Sequence, residues 1–595
     1  MTDKSRTLLN NPYGQVSFDT FRQEDRAFVD KSLVIKYLDD NAMSKYPVLL
    51  RPRRFGKSTF VQMLRCFYDI SYADRYEELF CGTKIYQENL STHNTYHVIH
   101  FDFSNVFVKD EDTLLKSFCS AVISGIEDFK RRYRDFSFTY DNLDLSDPVT
   151  LLNFFTTAYS NYASSERLYV LIDEYDNFAN ELLSKNMELF LAITSASGFL
   201  KTFYAAIKAA AGSGCIAKTF ITGVSSVSLD SLTSGFNIAL NVTDRACFNE
   251  YAGFTDNELE ILIPKLVDVE QLGVSTKEII ARMKPVYDGY CFSGESSKTV
   301  FNSSMCLYYL NKVRQKKVFL NPEDYLDPAC DQDGYKLEQI FSLTSRDIVD
   351  EVIDTYLHGD TFYVEKLSEN INLNKANEYD QDQVLSILYY LGYLTIDNED
   401  VSPEGLILKI PNRYMSKLFG KCIINQRLKK DTAFVTTPAI NNESLLAVQD
   451  DISSFADSCT EFLSRIMTNQ VLCHMNEMAL NLALFAKLET VKGRNFIVNM
   501  QKSIQVRGRG EKYADLVITV NRGKINECIY LIELKYLTKT EATAKDSVEK
   551  LNHLVREASE QVLEYKSSLD FKERNVKAYV MVFSGPECIY CELQH

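Results

Sequence analysis

The stretch from Tyr46 to Phe60 restricts the possible folds of this chain more than any other. A short apolar run, Val48–Leu50, leads into the basic loop Arg51–Ser58. Apolar residues after the loop recur at the three- and four-residue spacing of one helix face: Phe60, Met63, Leu64 and Phe67. The stretch therefore predicts a strand, a loop and a helix in succession, which is the beginning of an α/β sheet.

The loop ends in Gly56-Lys57-Ser58, as the phosphate-binding Walker A pattern does, although Arg51 replaces the first glycine of that pattern. A loop that opens a helix points backbone N–H groups and the positive end of the helix dipole at an anion. We expect Gly56 to allow close approach of a phosphate, Lys57 to bind the β- and γ-phosphates of ATP, and Ser58 to ligate Mg²⁺.

Further apolar runs predict the rest of a sheet. Strands are expected at Val98–Phe103, Leu168–Ile172 and Thr219–Thr222, and helices at Leu114–Ile126 and Val149–Tyr162. Strands that alternate with helices favour a parallel α/β sheet.

One of these strands ends in two acids, Asp173 and Glu174, which is the Walker B pattern. We expect Asp173 to hold Mg²⁺, usually through water, and Glu174 to orient or activate the attacking water. A buried strand that ends in acids is common by itself. The order and context of the two patterns together indicate a nucleotide site.

Five further side chains are candidates for contact with the nucleotide. Thr59 directly follows the loop. Arg53 and Arg54 leave two interpretations open, because they either contact the nucleotide or are solvated. Thr222 or Ser225, next to the end of a later strand, is a candidate sensor of the γ-phosphate.

The central part of the chain is mostly helical from about 255 to 375. It continues with a predicted helix, Val384–Tyr393, and two predicted strands, Leu394–Ile396 and Leu406–Ile410. Helix, strand, turn and strand is the order of a winged helix. Such a module either contacts DNA or packs against protein, and the absence of a basic recognition helix favours protein packing.

A second candidate site lies near the C-terminus. Asp515 lies near the start of one predicted strand, and Glu533 and Lys535 lie two residues apart on the returning strand. They therefore share one face of that strand, where Asp515 and Glu533 can bind Mg²⁺ or Mn²⁺ and Lys535 can stabilise charge on a phosphate. Glu477, at the start of a preceding helix, is a candidate third carboxylate. The alternative is a structural ion pair between Glu533 and Lys535.

Composition limits the general class of protein. The formal net charge of −16 does not resemble that of a general nucleic-acid coat, although a local basic groove remains compatible with it. Fourteen Cys residues without regular spacing indicate reduced thiols and hence the cytoplasm. The CxxC pair Cys588 and Cys591 lacks the second pair that a zinc site needs. The chain shows neither a signal peptide nor an apolar run long enough to span a membrane.

With both sites in view, two resemblances to known families emerge. Residues from about 13 to 255 resemble the AAA-ATPase-like family found beside nuclease domains, which itself uses an Arg-Pro-Arg-Arg-x-Gly-Lys loop. The matching stretches are Phe28–Lys31, Arg51–Ser58, Leu171–Asp176, Phe220–Val224 and Tyr287–Tyr290. Residues from about 470 to 595 resemble the PD-(D/E)XK nuclease superfamily. The matching residues there are Asp515, Glu533 and Lys535, with Gln561 and Tyr565 on the following helix.

These resemblances imply an N-terminal P-loop NTPase with a parallel sheet, a mostly helical centre and a C-terminal restriction-endonuclease-like α/β domain. We expect domains at 1–255, 256–430 and 466–595, with a linker at 431–465. The resemblance also implies Gln561 as a catalytic side chain and DNA as the substrate class.

Three functional hypotheses remain. The first is an ATP-regulated endonuclease in genome defence or linked to a mobile element. The second is a nucleotide switch without turnover, whose C-terminal domain only holds DNA. The third is a regulatory scaffold that binds protein through its centre. A homo-oligomer is compatible with each of them.

Overall fold

The chain forms two compact units, which comprise Met1–Ile348 with Phe362–Ser416, and Val349–Thr361 with Lys417–His595. The structure is a computed structural model. It describes residues 8–40, 44–163, 166–178, 198–225, 235–322, 325–328, 331–358, 361–368, 380–398, 405–416, 418–419, 422, 452–466, 476–490, 496–506, 510–520, 527–568, 570–571 and 574–594.

The first unit contains the predicted parallel sheet. Its strands are β1 (Pro47–Leu50), β2 (Tyr96–Asp102), β3 (Arg167–Asp173), β4 (Ile216–Gly223) and β5 (Leu240–Asn241). They lie side by side in the order β2-β3-β4-β1-β5, and each neighbouring pair is parallel. Strands β1 and β3 are almost entirely buried, as expected of strands covered on both faces. The carboxyl ends of β1 and β3 therefore lie at the same edge of the sheet, with β4 between them.

Helices surround this sheet and continue beyond it. They are α1 (Phe18–Gln23), α2 (Val34–Asp39), α3 (Lys57–Tyr68), α4 (Tyr76–Phe80), α5 (Lys84–Glu88), α6 (Glu111–Arg132), α7 (Pro148–Tyr162), α8 (Phe199–Gly212), α9 (Asp256–Leu266), α10 (Val269–Leu272), α11 (Thr276–Tyr287), α12 (Ser303–Lys316) and α13 (Asp331–Leu343). The next helix, α14 (Arg346–His358), belongs mostly to the second unit. Local chemistry fixes several of the helix starts. Asp147 accepts two backbone N–H groups at the start of α7, and Thr255 with Glu258 forms a capping box on α9.

The predicted helix and strand pair after residue 380 are present. Helix α15 (Gln381–Leu391) precedes β7 (Thr395–Ile396) and β8 (Leu406–Lys409), which are antiparallel. An unpredicted strand, β6 (Phe362–Val364), pairs with the other side of β8. Helix α15 ends at Gly392, whose φ of +85° suits glycine, and a Cβ there would lie 2.8 Å from the Pro52 side chain. This helix end therefore packs directly on the phosphate loop.

The second unit contains a five-stranded mixed sheet between helices. Its further elements are α16 (Ile452–Ile466), α17 (Glu477–Thr490), β9 (Phe496–Val506), β10 (Gly510–Val520), β11 (Cys528–Tyr536), α18 (Lys539–Ala542), α19 (Ser547–Lys566), β12 (Val576–Ser584) and β13 (Glu587–Gln594). The strand order is β13-β12-β11-β10-β9, and only β11 and β12 are parallel. One core joins the sheet to α16 and α17, and a second core joins it to α19.

Helix α16 overlaps the predicted linker 431–465, of which residues 431–451 lie outside the described part. Phe455, Cys459 and Leu463 are buried in the same core as the sheet. The Cys588 N–H on β13 also donates to the Thr460 hydroxyl at 3.0 Å. Because these residues belong to the second unit, we propose that the C-terminal domain begins by residue 452 and not at residue 466.

This boundary predicts that a fragment 452–595 folds alone and that a fragment 467–595 does not. The shorter fragment loses the burial of three apolar side chains on α16, about 1.5–3 kcal/mol each. That sum is comparable to the whole stability of an ordinary domain, about 5–15 kcal/mol. Thermal unfolding followed by circular dichroism measures the difference. Equal melting temperatures for the two fragments would show that α16 is dispensable.

Candidate functional site

The phosphate loop has the backbone geometry of an anion-binding turn. It joins the end of β1 to the start of α3, and Gly56 precedes the helix with φ +93°. Arg54 also has a positive φ, +71°, which is uncommon for a residue other than glycine. Lys57 is 3% exposed, and its Nζ lies 3.5 Å from Glu174 Oε1 and 3.3 Å from the Pro52 carbonyl oxygen. The structure thus brings the predicted Lys57 and Glu174 together.

Ser58 and Asp173 also meet at the ends of α3 and β3. The Ser58 hydroxyl hydrogen-bonds to the Asp173 carboxyl, so both proposed oxygen ligands for Mg²⁺ are adjacent. Burial, and then the neighbouring charge of Glu174, raises the pKa of Asp173 to about 7. Two acids in a buried site suit a divalent cation that offsets their charge. Glu174 itself adopts the left-handed φ of +51°.

Arg51, which stands at the first glycine position of the Walker A pattern, has a structural role that the sequence did not reveal. It is 1% exposed, and its guanidinium donates to the carbonyl oxygens of Leu50, Thr243 and Phe248 at 2.6–3.0 Å. The same group lies 4.2 Å from the ring centroid of Phe292. Burial lowers the pKa of Arg51. Arg51 therefore joins the start of the loop to segments about 200 residues later.

We expect Arg51→Met to destabilise the protein by about 3 kcal/mol or more, because each buried acceptor that loses its donor costs about 1–3 kcal/mol. The measurement is the shift in thermal unfolding of the full chain. Arg131→Met is the matched control, since the Arg131 side chain is 75% exposed. Equal melting temperatures for wild type and Arg51→Met would contradict the structural role.

The structure gives Arg53 and the backbone of Arg54 partners within the fold. Arg53 donates from Nη2 to Asn177 Oδ1 at 2.9 Å, and Asn177 donates in turn to the Ser104 carbonyl oxygen at 3.0 Å. The Arg54 carbonyl oxygen accepts bonds from the Ser303 hydroxyl and the Ser304 N–H. The loop is thus held by both the β3 turn and helix α12. Asn177, which the sequence did not single out, orients Arg53.

The hydroxyl groups of the two candidate γ-phosphate sensors both donate hydrogen bonds within the fold. Thr222 is fully buried, and its hydroxyl donates to the Leu49 carbonyl oxygen at 2.6 Å. The Ser225 hydroxyl and N–H both donate to Asp176 Oδ2. In this structure Thr222 connects β4 to β1, and Ser225 anchors the segment after β4. Thr59, by contrast, lines the cavity beside the loop.

That cavity has a volume of about 280 Å³ and was not predicted from the sequence. Lys57, Ser58 and Glu174 form part of its wall. The chain before the first helix, including Tyr13 and Val16, forms another part. Tyr13 and Val16 precede the phosphate loop by about 40 residues and Glu174 by about 160, so only the fold reveals that these segments meet.

The second site lies on β10 and β11 of the second unit. Asp515, Glu533 and Lys535 are each less than 10% exposed. The Leu534 N–H on β11 donates to Asp515 Oδ2 at 2.9 Å, so the Asp515 carboxyl crosses to the neighbouring strand. The structure thus brings the three predicted side chains together.

Lys535 lies between two carboxylates. Its Nζ is 3.3 Å from Glu533 Oε1 and 3.4 Å from Glu477 Oε1. Burial opposes the charge of Lys535, but Glu533 and Glu477 outweigh it and raise the Lys535 pKa. Burial and then the Asp515 charge raise the Glu533 pKa. Glu477, predicted as a metal ligand, is an ion-pair partner of Lys535 in this arrangement.

Among the residues that the structure describes, three buried oxygens around this site lack a hydrogen-bond partner. They are Glu533 Oε2, Asn481 Oδ1 and Gln561 Oε1. Asn481 was not predicted, although it lies one helical turn after Glu477, and its Nδ2 lies 3.2 Å from Asp515 Oδ1. Gln561 lies one turn before Tyr565 on α19, and the pKa of Tyr565 is raised by burial and then by Glu533 and Asp515. Unsatisfied buried acceptors are costly, and a bound ligand or cation would satisfy them.

These residues fit a divalent ion held by few protein ligands. Within the described ranges, no group of three or more His, Cys, Asp or Glu side chains is arranged to hold a metal. Mg²⁺, however, is commonly bound through one or two carboxylates together with water and substrate phosphates. Asp515 and the unpartnered oxygen of Glu533 meet that requirement.

Both domains match known families. Residues 12–233 match the AAA-ATPase-like family, described as "Predicted AAA-ATPase", and residues 505–593 match the PD-(D/E)XK nuclease superfamily. The chain thus combines an AAA-ATPase-like domain with a domain of the PD-(D/E)XK nuclease superfamily, as predicted. The two matches leave the residues between 233 and 505 unassigned.

The individual proteins that resemble this chain share low sequence identity with it. An "uncharacterized protein in vnfD 5'region" from Azotobacter chroococcum is 26% identical over 298 residues, which cover 49% of this chain. The chain spans about half the length of that relative. The Walker-type ATPase of Pyrococcus abyssi is 12% identical, with a TM-score of 0.36, 65% of this chain covered and 94% of the other. No helix in the described part of the chain is long and apolar enough to cross a membrane.

Proposed function

We propose that this protein binds and hydrolyses ATP and cleaves DNA endonucleolytically with Mg²⁺ or Mn²⁺. The observation that carries this proposal is the buried cluster of Asp515, Glu533 and Lys535, which lies on the same chain as a Walker-type loop. A buried ion pair without function is a weak source of stability, whereas the same groups are useful for phosphate chemistry. The same hypothesis places the protein in the cytoplasm and links it to genome defence or a mobile element.

In the proposed ATPase site, Lys57 binds the terminal phosphates of ATP. Ser58 and Asp173 would hold Mg²⁺, which would neutralise phosphate charge. Lys57 lies 3.5 Å from Glu174 in this structure, so a phosphate that attracts Lys57 weakens its ion pair with Glu174. Glu174 is then available to orient water and accept its proton.

In the proposed nuclease site, Asp515 and Glu533 would hold the divalent ion, which would supply the positive charge that activates water and stabilises the scissile phosphate. Lys535 remains protonated between Glu533 and Glu477, so it supplies positive charge to the phosphate. Asn481 orients Asp515 from α17. Gln561 presents an unpartnered oxygen from α19 and is proposed to position water or substrate.

Glu174→Gln is expected to retain ATP binding and to lose most ATP hydrolysis. The substitution keeps the shape of the side chain and removes its ability to accept a proton, and general-base catalysis contributes about 10²–10⁴-fold. Phosphate release and calorimetric affinity, measured on the same preparation, separate the two effects. Hydrolysis by the variant at the wild-type rate would show that Glu174 takes no part in the reaction. A wild type that binds ATP without hydrolysing it would favour the nucleotide-switch hypothesis.

A further inference from the structure

Neither proposed site uses the CxxC pair, Cys588 and Cys591, which lies on β13. This strand forms one edge of the sheet in the second unit and pairs with β12. The register with β12 shifts by one residue between Cys588 and Tyr590. Ile589 is therefore an extra residue on β13, and the strand contains a β-bulge between the two cysteines.

The bulge places both cysteine side chains on the same face of the sheet. In a regular strand, residues three apart point to opposite faces. Here Cys588 and Cys591 both pack against the core that contains α16 and α17, whereas Tyr590 packs against the core of α19 on the other face. The two thiols hydrogen-bond to each other and are not linked. The sulfur atoms are therefore adjacent, and both residues are only partly buried.

The spacing of the two cysteines suits a bond that forms and breaks readily. Cys588 and Cys591 pair with Phe583 and Met581, which are two residues apart on β12. That register puts the cysteine Cα atoms about 6.7 Å apart, near the upper end of the disulfide range of about 4.4–6.8 Å. A disulfide at this limit is strained and more easily reduced than a relaxed one. The pair is therefore suited to reversible oxidation.

The two thiols differ in reactivity. The hydrogen bond from the Cys588 thiol lowers the pKa of Cys591, and the same hydrogen bond, followed by burial, raises the pKa of Cys588. The thiolate is the form of cysteine that attacks a disulfide. The Cys588 N–H also donates to the Thr460 hydroxyl on α16 at 3.0 Å, which holds this end of the bulge in place. Cys591 is thus the attacking residue and Cys588 its resolving partner.

We propose that Cys588 and Cys591 form a redox-active dithiol whose substrate is a low-molecular-weight disulfide of the glutathione type. The Cys591 thiolate attacks one sulfur of the small disulfide, whose S–S bond breaks and releases one small thiolate. Cys588 then gives up its proton and attacks the Cys591 sulfur, which breaks the mixed disulfide and releases the second small thiolate. The electron pair of the two cysteines thus reduces the small disulfide, and their two protons end on the released thiols.

This site is independent of the proposed ATP and metal sites. In a reducing compartment such a bond forms only when the pool of small thiols becomes oxidised, as in redox-sensing proteins. The site therefore responds to the ratio of small disulfide to small thiol and not to nucleotide or metal.

The test incubates the full chain in buffers with increasing ratios of oxidised to reduced glutathione. Each sample is quenched with acid, alkylated in denaturant and digested, and mass spectrometry reads the state of each cysteine. The variants are Cys588→Ser and Cys591→Ser. The matched controls are Cys215→Ser and Cys247→Ser, because Cys215 and Cys247 are also partly buried. Thermal unfolding of each variant verifies that it folds.

Wild type is expected to lose both alkylation sites of the pair together and to gain a disulfide between Cys588 and Cys591, and both controls should do the same. Cys588→Ser should accumulate a mixed disulfide on Cys591 at least about fivefold faster than Cys591→Ser accumulates one on Cys588, because the thiolate is the nucleophile. Equal rates in these two variants would overturn Cys591 as the attacking residue. A wild type that keeps both thiols at every ratio, or joins either cysteine to Cys459 in the neighbouring core, would overturn the dithiol.

Discussion

Glu533→Gln is expected to reduce DNA cleavage by at least about a hundredfold. The carboxylate is buried, one of its oxygens has no partner among the described residues, and its loss removes a charged ligand of the proposed metal. Metal-ion stabilisation of a phosphoryl transition state is worth several kcal/mol, and each 1.4 kcal/mol corresponds to about tenfold in rate. The measurement is the initial rate of nicking of supercoiled plasmid DNA with Mg²⁺.

Glu587→Gln is the matched control for this prediction, because Glu587 is an exposed residue on β13 of the same sheet. It should cleave like wild type. Lys535→Ala should still bind Mn²⁺, since an ammonium group has no lone pair for a metal and Lys535 is therefore not a ligand. This variant should fail to cleave DNA, because it lacks the positive charge that Lys535 supplies to the phosphate. If Glu533→Gln and its control cut at the same rate, the observed cleavage arises elsewhere or from a contaminant.

Lys57→Ala is expected to weaken ATP binding by about a hundredfold or more. Lys57 is 3% exposed, and its ammonium group lies beside Glu174 at the start of α3. Truncating one partner of a buried charge pair costs about 2–5 kcal/mol. The variant also leaves the negative charge of Glu174 without the Lys57 ammonium group, so Glu174 would repel the phosphates. Isothermal titration calorimetry with ATP and Mg²⁺ measures the loss.

The control for Lys57→Ala is Lys109→Ala, because Lys109 is exposed and lies outside the cavity. It should retain the wild-type affinity. Equal ATP affinities for wild type and Lys57→Ala would show that the loop is not the phosphate site.

Much of the fold follows from the sequence because its strongest signals are local. Strands β1 and β3 are continuous apolar runs, and the helix after the loop repeats apolar residues at helical spacing. Strand β13 was missed, because Glu587–Gln594 alternates partly buried with exposed residues at the sheet edge. Helix α16 follows a polar stretch that indicates a linker, and only the fold shows that the buried face of this helix completes a core.

The sequence likewise predicts some features of the candidate sites, and only the structure reveals the others. The shared strand face of Glu533 and Lys535 was predictable, because residues two apart on a strand point to the same side of the sheet. The role of Arg51 was not, because its partners at Thr243 and Phe248 lie about 200 residues away. Thr222 has a suitable position in sequence, but the structure directs its hydroxyl to the backbone of β1. Asn481 carried one usable signal, its spacing of four residues from Glu477 on a helix.

The most direct test of the central claim is a plasmid-nicking time course of wild type and Asp515→Ala with Mg²⁺, Mn²⁺ or Ca²⁺, each with and without ATP. We expect wild type to cleave with Mg²⁺ or Mn²⁺ and not with Ca²⁺, whose looser coordination positions water poorly. ATP should change the rate of wild type and not that of Lys57→Ala. Asp515→Ala should leave the plasmid intact under every condition. Cleavage by Asp515→Ala at the wild-type rate, or no cleavage by wild type with any metal, would contradict a metal-dependent nuclease at this site.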